Sequence, residues 1–166
     1  MKALLVGEYR DGKVLDATYE LIAFAQSIGA ESAMFIAGGE SDFPKYEGKL
    51  YLADAAKYGE FNPDVHKKLV ASVIAKESPD LIVFSHSYYG WDLAPRIAYE
   101  LKCAQVSEAV GYENGSFIVP ACNSKMRRSV KPKTGVAVVT VQSGAFNPPS
   151  GPADEPSGTP SVEKID

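Results

Sequence analysis

The segment Asp80-Leu81-Ile82-Val83-Phe84 constrains the fold more than any other, because four apolar residues follow one another without a polar alternate. A strand with one solvated face alternates in polarity. A continuous apolar run therefore belongs to a central strand covered on both faces, as in a parallel sheet with helices above and below. Ser78-Pro79 closes the run on one side, and Ser85-His86-Ser87-Tyr88-Tyr89-Gly90 reads as the loop that leaves it on the other.

The rest of the chain supplies neighbours for such a strand. Ala3-Leu4-Leu5-Val6 is a second apolar run, closed by the Asp11-Gly12 turn, and Ala33-Met34-Phe35-Ile36-Ala37 is a third, ending in Gly38-Gly39. Lys49-Leu50-Tyr51-Leu52-Ala53-Asp54 reads as a short strand alternating in polarity. Between these runs the period changes. Ala17, Leu21, Phe24, Ala25 and Ile28 recur at helical spacing, with Asp16 placed to cap the start and Gly29 to end it. Asn62-Pro63 opens a second helix carrying Val65, Leu69, Val70, Val73 and Ile74, and a third places Leu93, Ile97 and Leu101 on one stripe with Lys102 in its last turn.

Later segments change character. Strands are expected over 106–110, 116–119, 129–131 and 135–141, and Asn114-Gly115 favours a tight hairpin turn. The expected fold is thus α/β: a three-layer, Rossmann-like, mostly parallel sheet with a late antiparallel portion. A chain of 166 residues suits one domain, assigned to 1–146. Residues 147–166 hold five prolines with glycine and serine interleaved, so they are expected to form a tail or linker without a packed element.

Charge and composition narrow the functional classes. A net charge of −4 and a pI of about 5.3 argue against nucleic acid or an anionic membrane as partner. The start lacks a secretory apolar region and no stretch is apolar enough to span a bilayer, so a cytoplasmic protein is expected. Cys103 and Cys122 are too few for a disulfide framework and are expected to be buried reduced thiols. No metal site is expected, since His66 and His86 stand alone and His66 reads as a surface residue of its helix.

In an open parallel sheet, ligands bind beyond the carboxyl ends of the strands. Candidate nucleotide-site residues there are Gly38, Ser85, Ser87 and Gly90, because helix-start amides and hydroxyls next to glycine suit a phosphate. Asp92 in the following turn disfavours an anion, and no GxxxxGK[ST], GxGxxG or GxSxG pattern is present. Ser85-His86-Ser87 is the only stretch suggesting nucleophilic chemistry, and loop hydrogen bonding explains it more simply. Lys125, Arg127, Arg128, Lys131 and Lys133 crowd five cations into nine residues. They read as a solvated hairpin edge first, and as a dock for an acidic partner or cofactor phosphate second. Tyr88, Tyr89 and Trp91 are candidate partner contacts, with packing over the sheet edge as the alternative.

The combined order of segments resembles the N-terminal domain of the electron transfer flavoprotein alpha subunit. The similarity runs through Gly7-Glu8-Tyr9-Arg10-Asp11-Gly12-Lys13, Pro79-Asp80-Leu81-Ile82-Val83-Phe84 and Tyr89-Gly90-Trp91-Asp92-Leu93-Ala94-Pro95-Arg96-Ile97-Ala98. It continues in Val106-Ser107-Glu108 and Val139-Thr140-Val141-Gln142-Ser143-Gly144-Ala145-Phe146. The resemblance implies an adenine nucleotide alpha hydrolase-like fold and a noncatalytic scaffold role rather than an enzyme. It implies a beta-like subunit as partner, and FAD carried by a separate domain, whose motifs are missing from the chain. No tightly bound cofactor is expected for the chain by itself. Trp91 stands where the family is usually basic, and Gln142-Ser143 replaces Arg-Pro. The alternative is a small sensor or regulator of the same fold that binds AMP or ATP, and a homo-oligomer is the alternative assembly.

Overall fold

A computed structural model describes residues 1–40, 43–146 and 158–166. In chain order the elements are strand β1 (Lys2–Val6), β2 (Tyr9–Arg10), β3 (Lys13–Val14), helix α1 (Asp16–Ser27), β4 (Glu31–Gly38) and β5 (Lys49–Asp54). There follow α2 (Ala55–Tyr58), α3 (Pro63–Glu77), β6 (Leu81–Ser85), α4 (Tyr88–Leu101), β7 (Ala104–Ala109) and β8 (Gly111–Glu113). The last are β9 (Ser116–Ala121), β10 (Met126–Val130), β11 (Ala137–Val141) and β12 (Ser161–Lys164).

Seven strands form one sheet in the order β12-β5-β4-β1-β6-β11-β7, and every neighbouring pair in it is parallel. As its apolar run requires, β6 lies inside, between β1 and β11, with all five residues buried. Because successive side chains point to opposite faces, each central strand feeds two cores. Leu5, Met34, Leu50, Val83 and Val139 pack with Leu21 and Phe24 of α1 on one face. Leu4, Phe35, Tyr51, Ile82 and Val138 pack with Leu69 and Val73 of α3 and Leu93 and Ile97 of α4 on the other. Each fully buried side chain of this size contributes about 1.5–3 kcal/mol.

The late portion is a separate antiparallel sheet in the order β10-β9-β8, and its Phe117 and Val119 complete the α1-side core. Its hairpin turns at Asn114 (φ 50°) and Gly115 (φ 77°), the two left-handed positions that the Asn-Gly pair supplies at little cost. Helix α3 begins as its sequence specifies, Asn62 Oδ1 accepting from the Val65 amide at 3.4 Å with Pro63 in the first turn.

Several expectations are corrected. The strand at 49–54 is not amphipathic: Leu50, Tyr51, Leu52 and Ala53 are all buried, because β4 and β12 flank it and both faces carry core. Helix α4 starts at Tyr88, so part of the expected loop is helical, and Leu101 faces solvent rather than the core. Asp16 lies inside α1, whose cap position is Leu15 and makes no side-chain cap bond. His66 is fully buried, whereas Cys122 is exposed and Cys103 half-buried. Of the expected tail, 147–157 lies outside the described residues, but Ser161–Lys164 forms β12. Its amides and carbonyls find partners on β5, its edge position needs no continuous apolar run, and Ile165 just beyond it is buried.

Candidate functional site

The carboxyl ends of β4, β1 and β6 lie side by side, and the start of α4 packs directly on them. Gly7 follows β1 and its amide donates to the Phe35 carbonyl at 2.9 Å, so the chain leaves the sheet tightly hugged by its neighbour. Glu8 comes next and is buried. Its backbone is bolted to α1: the Glu8 amide donates to Thr18 Oγ1 at 2.9 Å, and the Thr18 hydroxyl donates to the Glu8 carbonyl at 3.2 Å.

The Glu8 carboxylate then meets the cap of α4. Ser87 Oγ donates to Glu8 Oε1 at 2.6 Å and accepts from the Gly90 amide at 3.2 Å, spending its one proton and one lone pair in a single relay. Burial pushes the Glu8 carboxyl above its ordinary range, while the Ser87 hydroxyl, Arg10 and Ser85 pull it back. Gly90 is required here for space, since a Cβ would run into the Ser85 carbonyl oxygen. Gly38 is required for a similar reason: a Cβ there would sit 3.1 Å from the Tyr9 ring and 2.8 Å from Ile36.

The four candidate ligand residues thus surround the same strand ends, but they serve as joints rather than as a cradle. Between Glu8, Tyr9, Arg10, Glu60, Phe61 and Tyr89 remains a cavity of about 80 Å³. Pockets for nucleotide-sized ligands run from about 300 Å³ upward. The foremost amide donor of α4 is already taken by Ser87, and a buried carboxylate stands where a phosphate would need positive potential. The residues at the strand ends therefore do not fit a flavin.

Behind this surface lies a polar pair that sequence reasoning missed. His66 Nε2 donates to the Gly59 carbonyl at 3.0 Å, which leaves Nδ1 to accept the Tyr89 hydroxyl at 2.8 Å. Both groups are satisfied with His66 neutral, and burial lowers its pKa from the ordinary 6.5. Tyr89 is only 5% exposed, so its expectation as a partner contact is corrected: it is the hydrogen-bonding floor of the cavity. A buried Tyr hydroxyl needs an acceptor, and the only sequence signal for one was that His66 falls on the same helical stripe as Leu69, Val70 and Val73.

Ser85, His86 and Ser87 do not assemble as nucleophile and base. Ser85 Oγ faces the Ala17 carbonyl at 3.5 Å, Ser87 serves Glu8, and His86 Nδ1 is hydrogen-bonded to the Thr140 hydroxyl at 2.8 Å. Thr140 Oγ1 in turn accepts from the Glu108 amide at 3.0 Å, at a bulge where Glu108 takes φ 60°. Burial lowers the His86 pKa from its ordinary 6.5, while the Glu108 carboxylate pulls it back up.

The other candidates are on the surface. Tyr88 and Trp91 are 60% and 57% exposed; Arg10 Nη1 donates to the Tyr88 hydroxyl at 3.2 Å, and Trp91 meets His86 edge to face. Lys125, Arg127 and Arg128 stand solvated on and beside β10, the edge of the small sheet, as an edge strand that resists strand addition requires. Among the described residues no group of three or more His, Cys, Asp or Glu is placed to hold a metal ion, and no helix is long and apolar enough to cross a membrane.

Comparison with known proteins matches residues 3–166 to the electron transfer flavoprotein domain. The chain is 28% identical to the electron transfer flavoprotein subunit alpha of Bacillus subtilis, over 66% of its own length and 36% of that protein's. A probable mitochondrial electron transfer flavoprotein subunit alpha of Cryptococcus neoformans is 25% identical over 100% of this chain and 51% of its own length. The subunit alpha of Megasphaera elsdenii is 25% identical over 59% of the chain and 32% of that protein. The chain thus spans about a third to a half of the curated relatives it matches.

Proposed function

Because the chain belongs to the electron transfer flavoprotein domain family, we propose that it is an alpha-type scaffold domain of a cytoplasmic electron transfer flavoprotein. In this reading it pairs with a beta-like subunit, and a separate FAD domain carries the redox group. The chain holds no flavin by itself and catalyses no reaction alone. The observation that carries the reading is the closed carboxyl end of the sheet: a cavity of about 80 Å³ over a buried glutamate, in the place where this architecture admits ligands. That closure also weighs against the nucleotide-sensor alternative, which needs room for an adenosine.

The test is a visible spectrum of the natively purified protein, with mass spectrometry of any released ligand, alone and after co-expression with a beta-type subunit and an FAD-domain polypeptide. The expected result is a colourless, nucleotide-free chain that co-elutes with both partners in a yellow complex. Stoichiometric flavin or adenine nucleotide on the isolated chain, or no association on co-expression, overturns the proposal.

A further inference from the structure

The cavity of about 80 Å³ at the strand ends is too small for a nucleotide, yet its walls carry a definite chemistry. At about 30 Å³ per water-sized group it takes two or three heavy atoms. Its polar lining is Glu8, only 6% exposed, and the half-buried Glu60. Its apolar lining is Tyr9, Phe61 and Tyr89, and the Phe61 and Tyr89 rings lie 5.9 Å apart with their planes tilted by 59°. They meet as a corner rather than as a stack.

Both carboxylates are held by the fold. The Glu8 backbone is bolted to α1 and its Oε1 accepts from Ser87, while Glu60 Oε2 accepts from the Asp11 amide at 3.1 Å. A carboxylate offers about four lone-pair positions, of which the Ser87 hydroxyl takes one on Glu8. What surrounds Glu8 does not make up for its burial, since its pKa stays above the ordinary range. Arg10 is the one cation among the lining residues, and it is exposed and engaged outside the cavity. Its guanidinium lies 5.1 Å over the ring of Tyr88 and Nη1 donates to the Tyr88 hydroxyl at 3.2 Å, and Tyr88 is no part of the lining. With both carboxylates ionised, the lining keeps a net negative charge. His66, behind Tyr89, is neutral and adds nothing positive.

These walls discriminate among cations. A divalent metal ion asks for about six oxygen ligands, whereas three of the side chains here are aromatic, and among the described residues no group of three or more His, Cys, Asp or Glu is placed to hold one. A guanidinium prefers a carboxylate with both oxygens open to its planar fork, and Ser87 occupies one of them on Glu8. A primary ammonium is compact, carries three donors and gains from neighbouring aromatic rings. Its alkyl stem has a way out along Phe61, which lines the cavity and is 54% exposed.

We infer that this cavity binds the ammonium end of a primary alkylamine, held by Glu8 and Glu60 among the rings of Tyr9, Phe61 and Tyr89. A free amine and a lysine side chain share this chemistry. The site does not depend on the flavoprotein assembly proposed above, and its test uses the chain alone.

The test is an amide-resolved NMR titration of the full chain with n-butylammonium chloride and, separately, with Nα-acetyl-lysine N-methylamide, at an ionic strength held constant with NaCl. Saturable shifts of the Gly7, Glu60 and Phe61 amides are expected, half-complete on the order of 1–10 mM, as suits a ligand that buries so few atoms. n-Butanol, the same stem without the charge, is expected to give none. Glu8→Gln and Glu60→Gln are each expected to weaken binding by roughly tenfold or more, and Phe61→Ala by about threefold. Should Glu8→Gln fail to fold, Glu60→Gln and Phe61→Ala, both less buried, decide the matter. A response to the lysine derivative alone assigns the site to a polypeptide side chain, a response to butylammonium alone assigns it to a free amine, and a response to both supports the shared chemistry. Shifts that do not saturate with either amine, shifts that n-butanol reproduces, or an affinity unchanged in both Glu60→Gln and Phe61→Ala overturn the inference.

Discussion

Tyr88 and Tyr89 are the same residue at adjacent positions, yet one is 60% exposed and the other 5%. A step of one residue turns a side chain by about 100° around the helix, and here that turn separates two environments. Tyr89 points down onto the sheet, where its hydroxyl closes the hydrogen-bond account of a buried histidine. Tyr88 points outward, where its ring carries Arg10 at 5.1 Å and continues a stripe with Trp91 and Tyr99. Aromatic character by itself says nothing about which role a residue plays. The phase of the helix decides it, and that phase is set by Ser87 as cap and Gly90 against the strand end.

The contrast is broken most severely from the inside. Tyr89→Ala removes a buried ring and orphans His66 Nδ1, with an expected loss of about 3–5 kcal/mol in urea unfolding. Gly90→Ala drives a Cβ into the Ser85 carbonyl and forces α4 off the strand ends; about 1–3 kcal/mol is expected, with a change in near-ultraviolet circular dichroism as the Trp91 environment shifts. Ser87→Ala removes the cap of α4 and a donor to the buried Glu8 carboxylate, for about 1–2 kcal/mol by thermal unfolding.

A pH series sharpens the comparison further. Because burial lowers the His66 pKa below its ordinary 6.5, the unfolded chain takes up a proton before the folded one does. The stability linked to His66 is therefore complete above about pH 6.5 and declines as pH falls from there toward the folded-state value. The decline is expected to flatten in His66→Gln, read from the urea midpoint at each pH. At the small end, Tyr88→Ala is expected to change monomer stability by no more than about 0.5 kcal/mol. A loss as large as that of Tyr89→Ala would show that the two faces of α4 are not distinct.

Local signals were legible wherever one element determined them. The unbroken apolar run of β6 gave its central position, Asn62-Pro63 gave the start of α3, and Asn114-Gly115 gave the hairpin. The ligand-site candidates clustered at the right strand ends because Gly38, Ser85, Ser87 and Gly90 mark where chain and helix must approach closely. Close approach for packing and close approach for a ligand call on the same residue types, so the sequence did not reveal that the space was filled. That depended on Tyr9 of β2, Phe61 of the loop before α3 and Tyr89 of α4 arriving from three separate parts of the chain. His66 was misread because polarity suggested the surface, while its partner lies on another helix. The strand at Ser161–Lys164 was hidden by its proline-rich surroundings, since its pairing with Lys49–Leu52 is set by register across the sheet rather than by its own composition.

That pairing bears on the order in which the protein assembles. Ser161 meets Lys49 across roughly a hundred residues of chain, among the most non-local contacts in the molecule, and such contacts form late because their loop-closure cost precedes their reward. Until β12 docks, β5 is a bare sheet edge with buried-type residues on both faces, the kind of template on which another unfinished chain can grow. Glu163, clamped by Lys49 and Lys76 at 2.7 Å each, then acts as the latch on a closing seam. A chain whose β12 is undocked thus presents β5 as an open edge to other chains, and the Glu163 clamp works against that opening.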